Sequence, residues 1–512
     1  FLPYAGILAG GVLRQTLLEH SLRFFVDDAY IFLRYARRAV TGHGLVYNEA
    51  QHVLGFTSPL YVAVLAGAGA VGGPRGLVGE ANLVDLAFYA MASVTLVWLA
   101  RRREASLPIL MIAWLVWFPL VAAGVNGMET MLFILLQYGA LLLAVRGNEG
   151  WAVTVAAFAA LSRPEGAIFM VVLVAAALLH RRPTLRAWRS GVVGLAALGA
   201  WALYALVTYH TVIPQSIIAK GALRNTSGNP VQKLAVSALG LSTSQYGALS
   251  PKVTKAAIVL GIAALAMILV GLVVDVRRRA VAAAVPAWFV LTWLLYVVGH
   301  PIQLWSWYTA PLTLAVWWTV ARHGPTGLSW ALSLLPRHAR RPTKDRERTG
   351  TRPASVILVM TALVASALSV VVGVEKRQKS LDSSVVGLSR LAQLVDQVAP
   401  HAHSLFIDDI GIVGWASDDS IVDGAGLVSP LATIRRNGKL LSVDTLTRTE
   451  RIDVVALKAD PALGDKVADL LLRRPIFDDA GQRADLLASY REVDAYGLGG
   501  YRVLLVRRAP VP

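Results

Sequence analysis

Residues 21–60 read "SLRFFVDDAYIFLRYARRAVTGHGLVYNEAQHVLGFTSPL". Two adjacent carboxylates, Asp27 and Asp28, stand ahead of Arg34, Arg37 and Arg38, and a Gly- and aromatic-rich tail follows. An apolar run precedes the stretch, which places the acid pair at the mouth of a membrane segment. Adjacent like charges repel, and an apolar junction is a costly place for them.

The rest of the chain explains the apolar setting. Of 512 residues, 55% are hydrophobic and 16% charged, whereas a soluble protein carries about 25% charged residues. The mean hydropathy is +0.56. Apolar runs ending in Arg clusters point to a polytopic membrane protein. The formal charge of +17 gathers at the ends of these runs, where it sets topology and meets anionic lipid. Without a soluble basic reading element, no nucleic-acid partner is expected. There are no cysteines, which excludes disulfides, thiolate metal sites and Cys nucleophiles. The chain begins at Phe1 inside an apolar stretch, so a preceding segment with a few basic residues is expected.

A spanning helix needs about 20 apolar residues. That length picks out 1–18, 82–100, 107–124, 128–145, 150–162, 166–180, 191–209, 256–274, 281–299, 308–321 and 354–373. The run 59–72, "PLYVAVLAGAGAVG", is short and reads as an interfacial or re-entrant helix. With it not crossing, the basic loops 101–104, Arg146, 180–189, 275–279 and 322–353 share one side, cytoplasmic by the positive-inside rule. This gives about eleven spans, an inside N-terminus and an outside C-terminus. Domain boundaries follow: a membrane core 1–373, with a first outer loop 19–80 and a basic cytoplasmic linker 322–353, and then 374–512. In that last part "SLFIDD", "SIVDGAGLV", "IDVVALKA" and "YRVLLVRR" alternate with helical "DKVADLLLRR", the pattern of an outer α/β domain. The fold class is thus an all-α polytopic core with a C-terminal extracytoplasmic α/β domain.

Polar junctions collect on the outer side. Asp27 can simply cap the helix "DAYIFLRYARRAV", with Asp28 in its first turn and Arg34 and Arg37 on lipid headgroups. Alternatively one acid has a raised pKa, or the pair holds a cation. Arg163 and Glu165, flanking Pro164, form either a structural ion pair or part of a site. Glu129 caps a span or faces function, as acids at membrane depth often do. Lys220 either snorkels or binds substrate, and His300 is a loop residue or a ligand. Trp305, Trp307 and Tyr308 suit the bilayer interface or stacking on a sugar ring or the first units of a prenyl chain. Asp408, Asp409, Asp418, Asp419 and Asp423 lack calcium-loop spacing and read as turns. No nucleotide-binding or zinc-protease motif occurs.

The stretch "DDAYIFLRYARRAVTGHGLVYNEAQHVLGFTSPLY" resembles the first outer loop of bacterial GT-C glycosyltransferases that use polyprenyl-phosphate sugars, and is most similar to the mycobacterial terminal arabinofuranosyltransferase branch. "GVNGMET" resembles that branch's S-G-(L/M)-E-(T/S), and "LSRPEG" its (T/S)-R-P-E-G. "IPQSIIAK" resembles P-N-T-x-x-A-K with Gln215 and Ser216 in place of Asn-Thr. "WSWYTAP" resembles its aromatic junction. The resemblance covers about residues 20–311. It implies that Asp27 or Asp28 is the base that deprotonates an acceptor hydroxyl, since a carboxylate within hydrogen-bond reach assists attack. The other would orient sugar hydroxyls or hold Mg, Mn or Ca. Arg34, Arg163, Lys220 and His300 become candidates for the donor phosphate, with Glu129, Glu165, Trp307 and Tyr308 binding substrate. The implied reaction moves arabinofuranose to a cell-envelope glycan at the outer face of a bacterial plasma membrane, the protein acting as a monomer. A hexosyl (mannosyl-type) transferase, or a lipid-linked sugar flippase, is the alternative.

Overall fold

A computed structural model describes residues 26–49, 51–102, 104–124, 126–181, 188–222, 237–239, 251–299, 305–334, 385–436, 439–457, 488–495, 498–501 and 503–508. The expected spans 1–18 and 354–373, His300 and the helix expected over "DKVADLLLRR" lie outside these residues. The chain is mostly helical. From the amino end the helices are α1 (Asp27–Val40), α2 (Pro59–Gly72), α3 (Leu77–Arg101), α4 (Leu107–Val116), α5 (Phe118–Ala123), α6 (Thr130–Val145), α7 (Glu149–Ser162), α8 (Glu165–Arg181), α9 (Gly191–Tyr209) and α10 (Gln215–Ala222). They continue as α11 (Pro251–Arg277), α12 (Ala284–Gly299), α13 (Ser306–Leu334), α14 (Gly387–Val398), α15 (Ile410–Ala416) and α16 (Val443–Glu450).

Among the described residues, three helices are long and apolar enough to cross a membrane: Leu77–Arg101, Gly191–Tyr209 and Thr254–Arg277. Others, such as Thr130–Val145 and Glu149–Ser162, are shorter apolar helices, and 308–321 lies within α13. The segment 107–124, read as one span, is instead two helices that meet at an extended Trp117 (φ −67°, ψ 111°). Pro119 is the cause, because it lacks an N–H and its ring clashes with the carbonyl four residues back. The run 59–72 forms the expected short helix.

The chain divides into two compact units. The first comprises Phe1–Leu22, Leu83–Ala200 and Asn225–Glu375; the second comprises Arg23–Asn82, Trp201–Arg224 and Lys376–Pro512. The first outer loop, assigned from sequence to the membrane core, therefore groups with the C-terminal residues.

The first unit is a helical bundle with an aromatic-rich core. Tyr89 stacks on Trp114 at 5.1 Å, and Tyr138 meets Trp318 edge-on at 5.5 Å. One end is tied by Arg322, which donates to both carboxylate oxygens of Asp275 (3.0 and 3.1 Å) and to Glu104 (2.6 Å).

In the second unit, a five-stranded sheet runs in the order β2 (Ser420–Asp423), β1 (Ser404–Ile407), β5 (Val454–Leu457), β7 (Val503–Arg507), β6 (Tyr490–Asp494). A small hairpin pairs β3 (Arg435–Arg436) with β4 (Lys439–Leu440). Each of the four strand-like pieces read from sequence carries one of these strands. β2, β1 and β5 are parallel, and β7 is antiparallel to β5 and β6. Continuous apolar runs suit strands covered on both faces, and all four residues of β5 are buried. α14 buries Leu388, Leu391, Ala392 and Val395, the spacing of an amphipathic helix. Chain order places β2 on one side of β1 and β5 on the other, so the carboxyl ends of β1 and β5 flank the point where connections reverse, the usual ligand position in open α/β sheets. Asp408 and Asp409 follow β1 at that end.

The outer loop fastens to this sheet through side chains. Asn48 Nδ2 donates to the Ile421 carbonyl at 2.8 Å, and its Oδ1 accepts from the Ile421 N–H at 2.9 Å. The amide thus pairs with edge strand β2 as another strand would, protecting an exposed edge. Gly55 has no side chain because a Cβ would fall 2.7 Å from Val428 and 2.8 Å from the Tyr35 hydroxyl. Tyr209 donates to the Leu45 carbonyl at 2.7 Å, and the Gln215 N–H to that of Leu54 at 2.7 Å. These bonds fix the start of α10 against the loop.

Candidate active site

In the second unit, α1 starts at Asp27, with Val26 at the cap position and no side-chain cap bond. Asp27 therefore does not cap its own helix; it caps another. Its carboxylate accepts from the N–H groups of Gly411 (3.0 Å) and Ile412 (2.7 Å), at the amino end of α15. At the other end of α15, Arg34 donates to the carbonyls of Gly414, Ser417 (3.2 Å) and Asp419 (2.8 Å), and also to Tyr47 (2.9 Å). Its guanidinium lies 4.5 Å from the centre of the Tyr47 ring. The acid meets the positive end of the helix dipole and the base the negative end. The spacing suits this: seven residues on α1 rise ~10.5 Å, the length of a seven-residue helix. Gly414 permits the approach, since a Cβ there would fall 2.0 Å from the Tyr47 hydroxyl.

This arrangement answers what Arg34 does. The sequence offered it as a phosphate ligand, but it is fully buried and engaged with backbone carbonyls, so it joins α1 to α15. Arg37 is similar: it lies over Trp415 at 4.4 Å and donates to the Trp415 carbonyl at 3.0 Å.

Asp28 differs from its neighbour. Among the described residues, no hydrogen bond fixes its carboxylate. Burial raises its proton affinity, the nearby Lys220 ammonium lowers it, and Asp409 raises it again. For Asp27, burial, then Asp409, then Asp28 push the pKa up to about 7, against the two amide bonds. Both acids are half-buried, as are Asp408, Asp409 and Lys220.

Asp409 was read from sequence as a turn residue; the structure brings it to the acid pair. Tyr501, fully buried, organises it. The phenol oxygen accepts from the N–H groups of Asp408 (3.2 Å) and Asp409 (3.0 Å), and the O–H donates to Asp409 Oδ2 at 3.2 Å. Asp423 is also no solvated turn. It is fully buried and accepts from the N–H groups of Ala425 (2.7 Å), Leu427 and Val428 (3.1 Å), while burial lifts its pKa to about 7. Asp418 does stay exposed, 3.7 Å from Arg37.

The other predicted residues gather in the first unit. Arg163 is 3.3 Å from Glu129 and 3.2 Å from Glu165, and donates to the Trp307 carbonyl at 2.8 Å. Its guanidinium lies 4.9 Å from the Tyr308 ring. Tyr296 donates its hydroxyl to Glu165, and the Trp288 indole donates to the Glu165 carbonyl at 2.9 Å. Trp305 and Trp307 stack nearly parallel at 5.3 Å. Arg163 and Glu165 thus form the ion pair that "SRPEG" suggests, and Glu129 joins it, so the buried cation is compensated by two buried carboxylates.

A divalent cation at the acid pair was a further expectation. Among the described residues, no group of three or more His, Asp or Glu side chains can hold a metal ion. The donor chemistry is also unfavourable, because both Asp27 oxygens accept amide N–H bonds and a Lys ammonium bears on Asp28.

No protein-family model and no curated protein matches this chain. Solved structures do. The chain is similar in fold to ArnT from Cupriavidus metallidurans. To the ArnT structure bound to undecaprenyl phosphate it shows 15% identity and a TM-score of 0.59, covering 99% of this chain and 98% of that one. To apo ArnT it shows 13% identity and a TM-score of 0.54, over 97% and 98%. The likeness thus runs the whole length of both chains, second unit included.

Proposed function

We propose that this protein is an integral-membrane glycosyltransferase of the GT-C type, taking a sugar from a polyprenyl-phosphate donor at the outer face of the plasma membrane. The observation that carries this reading is the half-buried Asp28 beside Lys220, with Asp27 and Asp409 adjacent, in a fold shared end to end with a protein that binds undecaprenyl phosphate. In this reading Asp28 is the base. Asp27 has both oxygens tied to the amino end of α15, which leaves Asp28 the better placed to turn toward substrate.

The reaction follows from these groups. The acceptor hydroxyl oxygen attacks the anomeric carbon, the bond from that carbon to the phosphate oxygen breaks, and the hydroxyl proton passes to Asp28. Polyprenyl phosphate leaves with the electron pair, and the Lys220 ammonium offsets its charge. A single displacement of this kind inverts the anomeric centre. No step requires a metal ion.

Asp28 and Asp409 bring acidic groups together here, which favours a neutral glycan acceptor over a phosphorylated headgroup. Arabinofuranose is our reading for the sugar, on the likeness of the first loop, "GVNGMET" and "LSRPEG". Glu129, Arg163, Glu165, Trp307 and Tyr308 then act as a rigid internal tie in the bundle rather than as phosphate ligands.

The test is transfer by purified protein from radiolabelled polyprenyl-phosphate arabinofuranose, mannose and other sugars to a neutral glycan, with and without EDTA. Consumption of one donor, insensitive to EDTA, is the expected result. Intact donors throughout would remove the enzyme reading in favour of a flippase, and preference for a hexose donor would replace arabinose.

A further inference from the structure

The short helix α10 presents its residues in an unusual way. Ile213, Ile217 and Ile218 are exposed, by 52%, 42% and 45%, while Ser216 is buried and Lys220 half-buried. In water this pattern is inverted. Ser216 and Lys220 are four residues apart and share a helix face, whereas Ile217 and Ile218 lie around the other side. The polar face therefore turns inward, where Lys220 acts on Asp28, and the apolar face turns outward.

Ser216 supplies the second observation. It is 6% exposed and its hydroxyl has no hydrogen-bond partner among the described residues. A buried hydroxyl without a partner is costly. Loose packing does not account for it, because the helix start is firmly held. The neighbouring Gln215 donates to the Gly426 carbonyl at 3.1 Å and to the Thr433 hydroxyl at 3.4 Å, besides its backbone bond to Leu54. Ser216 is thus held one turn before a cation, with its donor available.

We propose that α10 is the seat of an isoprenoid phosphate, its two faces sorting the two halves of that amphiphile. Ser216 donates its hydroxyl to a phosphate oxygen beside the Lys220 ammonium. Ile213, Ile217 and Ile218 lie along the first isoprene units where the chain leaves for the bilayer. A charged oxygen suits both groups: Lys220 matches its sign, and the hydroxyl gains the stronger, charge-assisted type of hydrogen bond. The inference rests on the donor class proposed above, and it adds the residues that recognise that donor.

The test is equilibrium binding of polyprenyl phosphate alone to the full chain in nanodiscs. Ser216→Ala is expected to weaken binding roughly 10-fold, the scale of one hydrogen bond to a charged group. Ile217→Ser together with Ile218→Ser is expected to weaken binding of the long-chain phosphate and leave that of farnesyl phosphate, with only three isoprene units, much less affected. Phosphatidylglycerol at equal concentration is expected not to compete. Unchanged affinity in Ser216→Ala would overturn the proposal, as would equal competition by phosphatidylglycerol. If wild-type protein binds polyprenyl phosphate yet transfers no sugar, the enzyme reading fails while this one stands. If it transfers sugar and neither variant changes affinity, only this one fails.

Discussion

Arg34 in the second unit and Arg163 in the first are both buried, at 0% and 2% exposure, but different partners hold them. Four neutral backbone carbonyls receive Arg34, whereas Arg163 sits between the carboxylates of Glu129 and Glu165. A sequence marks the two alike, as cations at polar junctions. A buried arginine therefore identifies a phosphate site only after its existing partners are known. It also separates the two polar centres in kind. The Arg163 centre is a cluster of buried charges. The Arg34 centre is a clamp on one short helix, and the same clamp sets Asp27 at the helix start and Asp28 beside it.

Removing each arginine sharpens the contrast. Arg163→Met leaves two carboxylates buried without their cation, so a loss of about 3–5 kcal/mol is expected, read as a large drop in melting temperature or failure to accumulate in the membrane. Arg34→Met removes hydrogen bonds from a charged donor but strands only neutral carbonyls. A smaller loss of about 2–3 kcal/mol is expected, seen as a lower melting temperature with the protein still folded. Equal losses would break the comparison.

The smallest expected effect is a pH slope. Asp27 and Asp423 both hold a proton more tightly when folded, up to about 7 against the ordinary 3.8. For an acid shifted upward, the stabilisation is full below about pH 4 and is lost as pH rises toward about 7. Melting temperature should therefore fall between pH 5 and pH 7 and then level off. A rise across that window would show that the amide bonds to these carboxylates outweigh their burial.

Much of the architecture was legible in the sequence because it is written in local periodicity. Among the described residues the apolar runs became helices, and "SLFIDD", "SIVDGAGLV", "IDVVALKA" and "YRVLLVRR" each carry a strand. Pro119 is the sequence signal for the break at Trp117, masked because composition there stays apolar. In the site, the Asp27–Asp28 pair was visible as an anomaly of charge. Its division of labour was not, since the partners Gly411 and Ile412 lie more than 380 residues away. Asp409 carried a recoverable clue: acids placed directly after an apolar strand stand at its carboxyl end, where open α/β sheets bind ligands. Reading such acids as turns treats each in isolation. Glu129 as a partner of Arg163 had no local signal, whereas Glu165, two residues on, did.

The adjacent acids do different work, Asp28 chemical and Asp27 structural. The most direct measurement compares sugar transfer and melting temperature for Asp28→Asn and Asp27→Asn in the full chain. Asp28→Asn should lose at least ~100-fold in kcat, the scale of a missing general base, with its melting temperature unchanged. Asp27→Asn replaces one acceptor oxygen with an NH2 facing an amide donor, so it should melt lower yet keep transfer within about 10-fold while folded. Abolished transfer in a stable Asp27→Asn, beside an active Asp28→Asn, would contradict the claim and reverse the two roles.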